Sequence, residues 1–363
     1  EKRCPWGHII HWLGIGAGVV AGLFLSGKIV SAQPVKAATI YVDPKMHISY
    51  QSSTWTQNGK TIKDNGYWGT RVGNASGPVA FCIQLGTALG QTGGISGYTQ
   101  YSQSGTLPQK ISAIAYFGYQ KQKSLKNQMA TNYMIWEALG GKPKSMGGTL
   151  SMSQYNTFKK NVNAKVNTFM GNTSFNRKTV TLNVGQSVTL TDTTGRFSNF
   201  ENSPHTNGAN LTASKSGNKL TLTANAKSTD GTISYIPSID KNYIGTPIYF
   251  THPTKQNVIR PLLDPVRART EVTVKVIKNV NIRLQKYDVS TDPGKNDPLA
   301  GVTFHFTKDG KSYGDFTTDA KGQISLNKSV SEMAGNWTYQ ETKTVNGFKL
   351  DSTIKKFSVA STD

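Results

Sequence analysis

The side chains able to do covalent or acid–base chemistry are few and far apart. There are two cysteines, Cys4 and Cys82, and six histidines spread singly along 363 residues. No His or Cys pair has metal-ligand spacing and no glycine-rich phosphate loop follows a strand, so neither a metal nor a cofactor is expected. Cys82 sits in the apolar run Val79-Ala80-Phe81-Cys82-Ile83, the pattern of a buried strand. A thiol placed there could be an inert core residue, a nucleophile, half of an intermolecular disulfide, or a sulfur masked in a covalent bond.

The start of the chain narrows these readings. Glu1-Lys2-Arg3 precede a short, glycine-rich apolar run from Trp12 to Leu25, and small residues follow at Val30-Ser31-Ala32 and Val35-Lys36-Ala37. This is the layout of a secretory signal over residues 1–37. Cys4 would leave with it, and the exported remainder would keep one cysteine and no intramolecular disulfide. The formal charge is +21, but the Lys and Arg residues are scattered, with no basic run or basic helix. That excludes nucleic acid as the expected partner and fits attraction to anionic cell-wall polymers.

The elements that must position Cys82 are mostly strands, as expected from 36 Gly, 15 Tyr and only 36% hydrophobic residues. Thr39–Val72 reads as strands, Val79–Ile83 as a buried strand and Gly86–Gly105 as a loop. A helical block follows: Ile111, Ile114 and Ala115 share a face, Asn127–Leu139 is a helix stopped by Gly140-Gly141, and Ser151-Met152-Ser153-Gln154 is a capping box before an amphipathic helix. From Lys178 the period is two, predicting an antiparallel β region that ends near Lys278. Residues 280–363 carry short, evenly spaced strands, as in a small β-sandwich. The fold class expected is mainly β with a helical insertion, divided as signal 1–37, a first domain 38–277 and a second domain 280–363.

Phe81-Cys82-Ile83, Ile114-Ala115-Tyr116-Phe117-Gly118-Tyr119 and Ala130-Thr131-Asn132-Tyr133-Met134-Ile135-Trp136 fall in the order seen in the thioester domains of Gram-positive surface adhesins, which residues 40–277 resemble. The resemblance implies an internal thioester. Its sulfur would come from Cys82 and its acyl group from a late glutamine followed by aliphatic residues, here Gln256-Asn257-Val258-Ile259. Where the family has Thr-Gln, this sequence has Thr131-Asn132, one methylene shorter, so a hydrogen bond from that side chain has to be rearranged or lost. The thiolate would attack the carboxamide carbon and release ammonia, helped by proximity and by backbone N–H groups or the Thr131 hydroxyl as oxyanion donors. Tyr116, Phe117, Tyr119, Tyr133 and Trp136 are the candidate cover against water. Gln84 is a competing acyl donor, sharing a strand face with Cys82, although a ring closed within an extended segment would be strained.

Residues 280–363 resemble the Cna type B, prealbumin-like repeats of such proteins, through Leu284-Gln285-Lys286, Pro298-Leu299-Ala300-Gly301-Val302-Thr303-Phe304, Thr317-Thr318-Asp319-Ala320-Lys321-Gly322 and Trp337-Thr338-Tyr339-Gln340-Glu341. This implies an isopeptide bond from Lys286, promoted by Glu341, to an acceptor on the last strand. Asp363 has the right parity, and the acceptor can also lie beyond it. The function implied is a secreted surface adhesin. It would bond covalently to a lysine amine on a host protein and be held to the bacterial cell wall by a C-terminal anchor outside this sequence. A non-covalent adhesin with a buried thiol, and a cysteine hydrolase or transglutaminase using Cys82 with His252, are the alternatives.

Overall fold

The computed structural model describes residues 36–288 and 296–361. The signal-like segment therefore lies outside the described residues, apart from Lys36 and Ala37, which already pair with Gln100 and Thr99 in a strand ladder. The chain runs through β1 (Lys36–Gln57), β2 (Lys60–Val72), β3 (Val79–Cys82), β4 (Gly93–Ser102), α1 (Thr106–Ala115), a π-helical turn (Tyr116–Gln120), α2 (Leu125–Ala138), β5 (Lys142–Gly148) and α3 (Met152–Met170). Short strands follow: β6 (Lys178–Asn183), β7 (Ser187–Thr191), β8 (Thr206–Asn207), β9 (Thr212–Ser216), β10 (Lys219–Thr223), β11 (Gly231–Tyr235), β12 (Ile248–Thr251), β13 (Val258–Arg260) and β14 (Thr270–Ile277). The last stretch contains β15 (Asn279–Gln285), β16 (Thr303–Lys308), β17 (Lys311–Thr317), β18 (Gln323–Ser329), α4 (Val330–Met333), β19 (Gly335–Lys343) and β20 (Lys355–Val359).

One compact unit takes in the described residues 36–171 together with Pro237–Ala268. Its strands are ordered β2-β3-β13-β12-β4-β1-β5, and β1 also pairs with β2, so six antiparallel strands close into a ring with β5 on the far half of β1. Closure leaves few free edges. The helical block α1–α3 packs on this ring and shares its core: Trp55, Phe81, Tyr98, Tyr116, Tyr133 and Tyr155 are all buried in one cluster. The capping box forms as read, with Ser151 Oγ accepting from Gln154 N–H and the Gln154 side chain accepting from Ser151 N–H. Tyr155, Val162, Val166 and Phe169 form the buried stripe of α3.

The expected loop over Gly86–Gly105 is corrected here, because Gly93–Ser102 is strand β4, paired on both sides by β1 and β12. Ile95 and Tyr98 fill the core while Gly97, at φ +88°, forms the bulge that shifts the register against β1.

The other unit takes Asn172–Ile236 and the described residues from Arg269 to 361. It holds two separate cores. The first lies between the sheets β7-β10-β9 and β6-β14-β11-β8, around Phe197, Leu222 and Val274. The antiparallel expectation fails at one place: β6 pairs parallel to β14, while β7 joins the other sheet, so the Gly185 turn links two sheets instead of closing a hairpin. The second core, around Phe306, Met333 and Trp337, lies among β15-β18 and β17-β16-β19-β20. The stretch from 38 to 277 thus contains two cores, and 280–361 a third.

Candidate functional site

β3 lies between β2 and β13, with Cys82 opposite Val258 and Phe81 opposite Ile259. Ile83 N–H donates to the Asn257 carbonyl at 2.9 Å, which turns the Cys82 amide and carbonyl away from β13. Asn132 on α2 fills that gap: its Oδ1 accepts from Cys82 N–H at 2.9 Å and its Nδ2 donates to the Cys82 carbonyl at 3.2 Å. A carboxamide offers an acceptor oxygen and a donor NH2 side by side, the complement of the N–H and C=O of one residue. The shorter Asn side chain therefore makes both bonds.

Gln256 is held just as closely. Its N–H donates to the Ala88 carbonyl at 3.2 Å, and its own carbonyl accepts from the Tyr98 hydroxyl at 2.8 Å. Its side-chain Nε2 donates to the Gln84 carbonyl at 2.7 Å. The preceding turn is pinned as well: His252 N–H donates to Asn257 Oδ1, and His252 Nδ1 accepts from the Thr254 and Lys255 amides. Cys82 and Gln256 are only 4% and 5% exposed, and both line one cavity of about 450 Å³. Burial, reinforced by the charge of Asp64, pushes the Cys82 thiol well up. Burial likewise pushes Tyr98 up to about 12, so its hydroxyl stays a donor.

Several residues expected here sit elsewhere. Of the anticipated aromatic cover only Trp136 lines the cavity, stacked edge-on against Trp55 with ring centroids 5.6 Å apart. Tyr116 accepts from Asp240 N–H and packs against Phe117 and Tyr243. Tyr119 packs edge-on against Phe81, on the residue before the cysteine. The expected role of Thr131 as an oxyanion donor is corrected: adjacent helical residues diverge by about 100°, and its Oγ1 points at Gly118, where an added Cβ would sit 2.4 Å from it. Gln84 does not share a face with Cys82, because β3 ends at Cys82; its exposed side chain accepts from Asn257 N–H instead. His252 does not line the cavity.

The cavity also holds residues that sequence reasoning missed: Asp64, Tyr67 and Trp68 of β2, the last stacked on His47 at 3.6 Å, and the 86–92 loop. A polar residue in a strand flanked by Lys63 and Asn65 carries no signal that it lines a cavity.

In the second candidate site Lys286 Nζ lies 2.8 Å from Glu341 Oε2, with the Glu341 side chain 1% exposed and that of Lys286 25% exposed. Leu284, Phe304 and Tyr339 surround the pair. Asp363 lies outside the described residues.

Residues 79–172 match the family model described as a thioester domain, and residues 280–363 match the prealbumin-like fold domain SpaA. Among solved structures the chain is similar to the thioester domain of the Staphylococcus aureus TIE protein, at 22% identity and a TM-score of 0.51, over 67% of this chain and 100% of that one. It is also similar to the Bacillus anthracis TIE protein, at 13% identity and a TM-score of 0.31, over 90% of this chain and 81% of that one. A third is the group B streptococcus pilus 2b backbone protein, at 16% identity and a TM-score of 0.20, over 41% of this chain and 60% of that one. No curated protein matches the sequence. The chain thus carries a thioester-domain region followed by a prealbumin-like domain.

Proposed function

We propose that this protein is a surface adhesin that bonds covalently to amines through an internal thioester between Cys82 and Gln256. The observation that carries the reading is the convergence of a buried thiol and a buried carboxamide on one cavity, the first on β3 and the second just before the neighbouring β13, each held by hydrogen bonds. The thiol attacks the carboxamide carbon, the C–N bond breaks, and nitrogen leaves as ammonia from the position where the Gln84 carbonyl now holds it. Fixing both groups removes the entropy cost of bringing them together. The indole Nε1 of Trp136, buried without a partner among the described residues, is a donor available to the oxyanion.

The incoming nucleophile is a primary amine, such as a lysine of a host protein. Acyl transfer to it leaves a stable amide and a free Cys82, a single event without turnover. Export by a signal ahead of β1, cut no later than the Val30-Ser31-Ala32 site, and wall attachment through a C-terminal anchor complete this reading. No helix among the described residues is long and apolar enough to cross a membrane. In the prealbumin-like domain the Lys286–Glu341 contact supports an isopeptide bond that would stiffen a stalk, with its acceptor at Asp363 or beyond.

Incubation with a biotinylated primary amine, followed by peptide mapping, tests the reading. The label is expected on Gln256 of the wild type and absent from Cys82→Ala. A label that persists in Cys82→Ala, or that maps to another residue, contradicts it.

A further inference from the structure

Asp64 pairs with Ser53 of β1 across the β1–β2 ladder and lines the cavity shared by Cys82, Trp136 and Gln256. Among the described residues its carboxylate has neither a hydrogen bond nor an ion pair, and burial alone pushes it up to about 6. No lysine among the described residues is paired with it: Lys63 is an exposed residue at the cavity, and the Lys255 ammonium lies against Gly90. Asp64 is partly buried on the cavity wall, and a desolvated carboxylate without a partner beside a reactive bond points to use in the chemistry. Its charge reaches the site: after burial, it is what raises the Cys82 thiol, and it also raises Tyr133. The titratable groups around it are Cys82 of β3, Tyr133 of α2, and Lys63 and Tyr67 of its own strand; β1 contributes Val42, and the 86–92 loop contributes no titratable group.

Resting on the thioester reading above, we propose that Asp64 is the proton carrier of acyl transfer, taking a proton from the attacking amine nitrogen and giving it to the Cys82 sulfur. The amine enters as its free base, having left one proton to solvent. Its lone pair forms the C–N bond to the Gln256 acyl carbon. The nitrogen then carries two protons: one stays on the amide, and Asp64 takes the other. The C–S bond breaks and the electron pair goes to sulfur, which leaves as a neutral thiol when Asp64 returns the proton. The need is set by burial. A site that disfavours a Cys82 thiolate makes sulfur a poor leaving group unless it is protonated. An acid–base group is most effective when its own titration lies near the working pH. A carboxylate on the cavity wall also attracts ammonium ions to the cavity, where they lose a proton to solvent before attack, over neutral alcohols and water.

The test follows methylamine addition by intact mass in the wild type, Asp64→Asn and Asp64→Glu. All three are expected to start one ammonia below the sequence mass. At pH 7.5 Asp64→Asn is expected to react on the order of 100-fold more slowly, with Asp64→Glu recovering most of the rate. In the wild type the slope of log rate against pH falls by one near about 6, where the Asp64 carboxyl ionises, and Asp64→Asn loses that bend. If Asp64→Asn forms no thioester, Asp64→Glu is expected to form it. Equal rates and an unchanged bend in Asp64→Asn overturn the proposal, as does a folded Asp64→Glu with neither thioester nor rate. A wild type at full sequence mass would remove the thioester reading itself.

Discussion

Asn132 does the positioning at the scale of single residues. It stands where a further strand would otherwise satisfy the Cys82 peptide, and it is itself wholly buried. Asn132→Ala would remove both bonds and leave a buried N–H and C=O unpaired, a loss of about 2–3 kcal/mol. Denaturant unfolding should show that loss, together with a smaller fraction of molecules lacking one ammonia; unchanged stability would mean that Asn132 is not the clamp described here. The Thr131-Asn132 pair was legible as part of the site, but the division of labour within it was not. A one-residue step around a helix sends Asn132 to the cysteine and Thr131 to Gly118, and no spacing rule says which of two neighbours faces the strand. Asp64 was invisible for a different reason: the cavity it lines is built together with Cys82, Gln256 and the 86–92 loop, and these are far apart in sequence.

At the scale of elements, the site depends on how closely α2 approaches the π-helical turn. Gly118 permits that approach: a Cβ there would meet Thr131 Oγ1 at 2.4 Å and the Phe158 ring at 3.4 Å. Thr131 is β-branched on a helix and has little rotamer freedom to yield. Gly118→Ala should therefore destabilise by about 1–3 kcal/mol, and adding Thr131→Ala should restore most of it; a neutral Gly118→Ala would disprove the close packing. The helices, the capping box and strands β1–β3 could be read from periodicity, because each has a regular face to bury. β4 could not. Its Gly-Gly-Ile-Ser-Gly-Tyr sequence has turn composition, and it is a strand because β1 and β12 supply partners on both sides. That misread strand also carries Tyr98, which anchors the Gln256 carbonyl. The parallel β6–β14 pair was likewise outside the reach of local pattern, since nearly a hundred residues separate the two strands.

Over the whole molecule, the chain brings together residues separated by more than 170 positions. Cys82 and Gln256 meet because the chain leaves the ring after α3, builds the strands from β6 to β11, and returns as β12 and β13 to close the sheet beside β3. The Lys286–Glu341 contact lies in the prealbumin-like domain, where an isopeptide bond is proposed above. Intact mass reads both at once. Untreated protein, purified without amines, should weigh less than its sequence by one ammonia for the Cys82–Gln256 bond. Any further deficit from an isopeptide should disappear in Lys286→Ala and persist in Cys82→Ala. The deciding comparison is wild type against Cys82→Ala: loss of one ammonia-sized deficit in the variant is the result this account requires. A wild type whose thiol titrates fully, with no such difference between the two proteins, would contradict it.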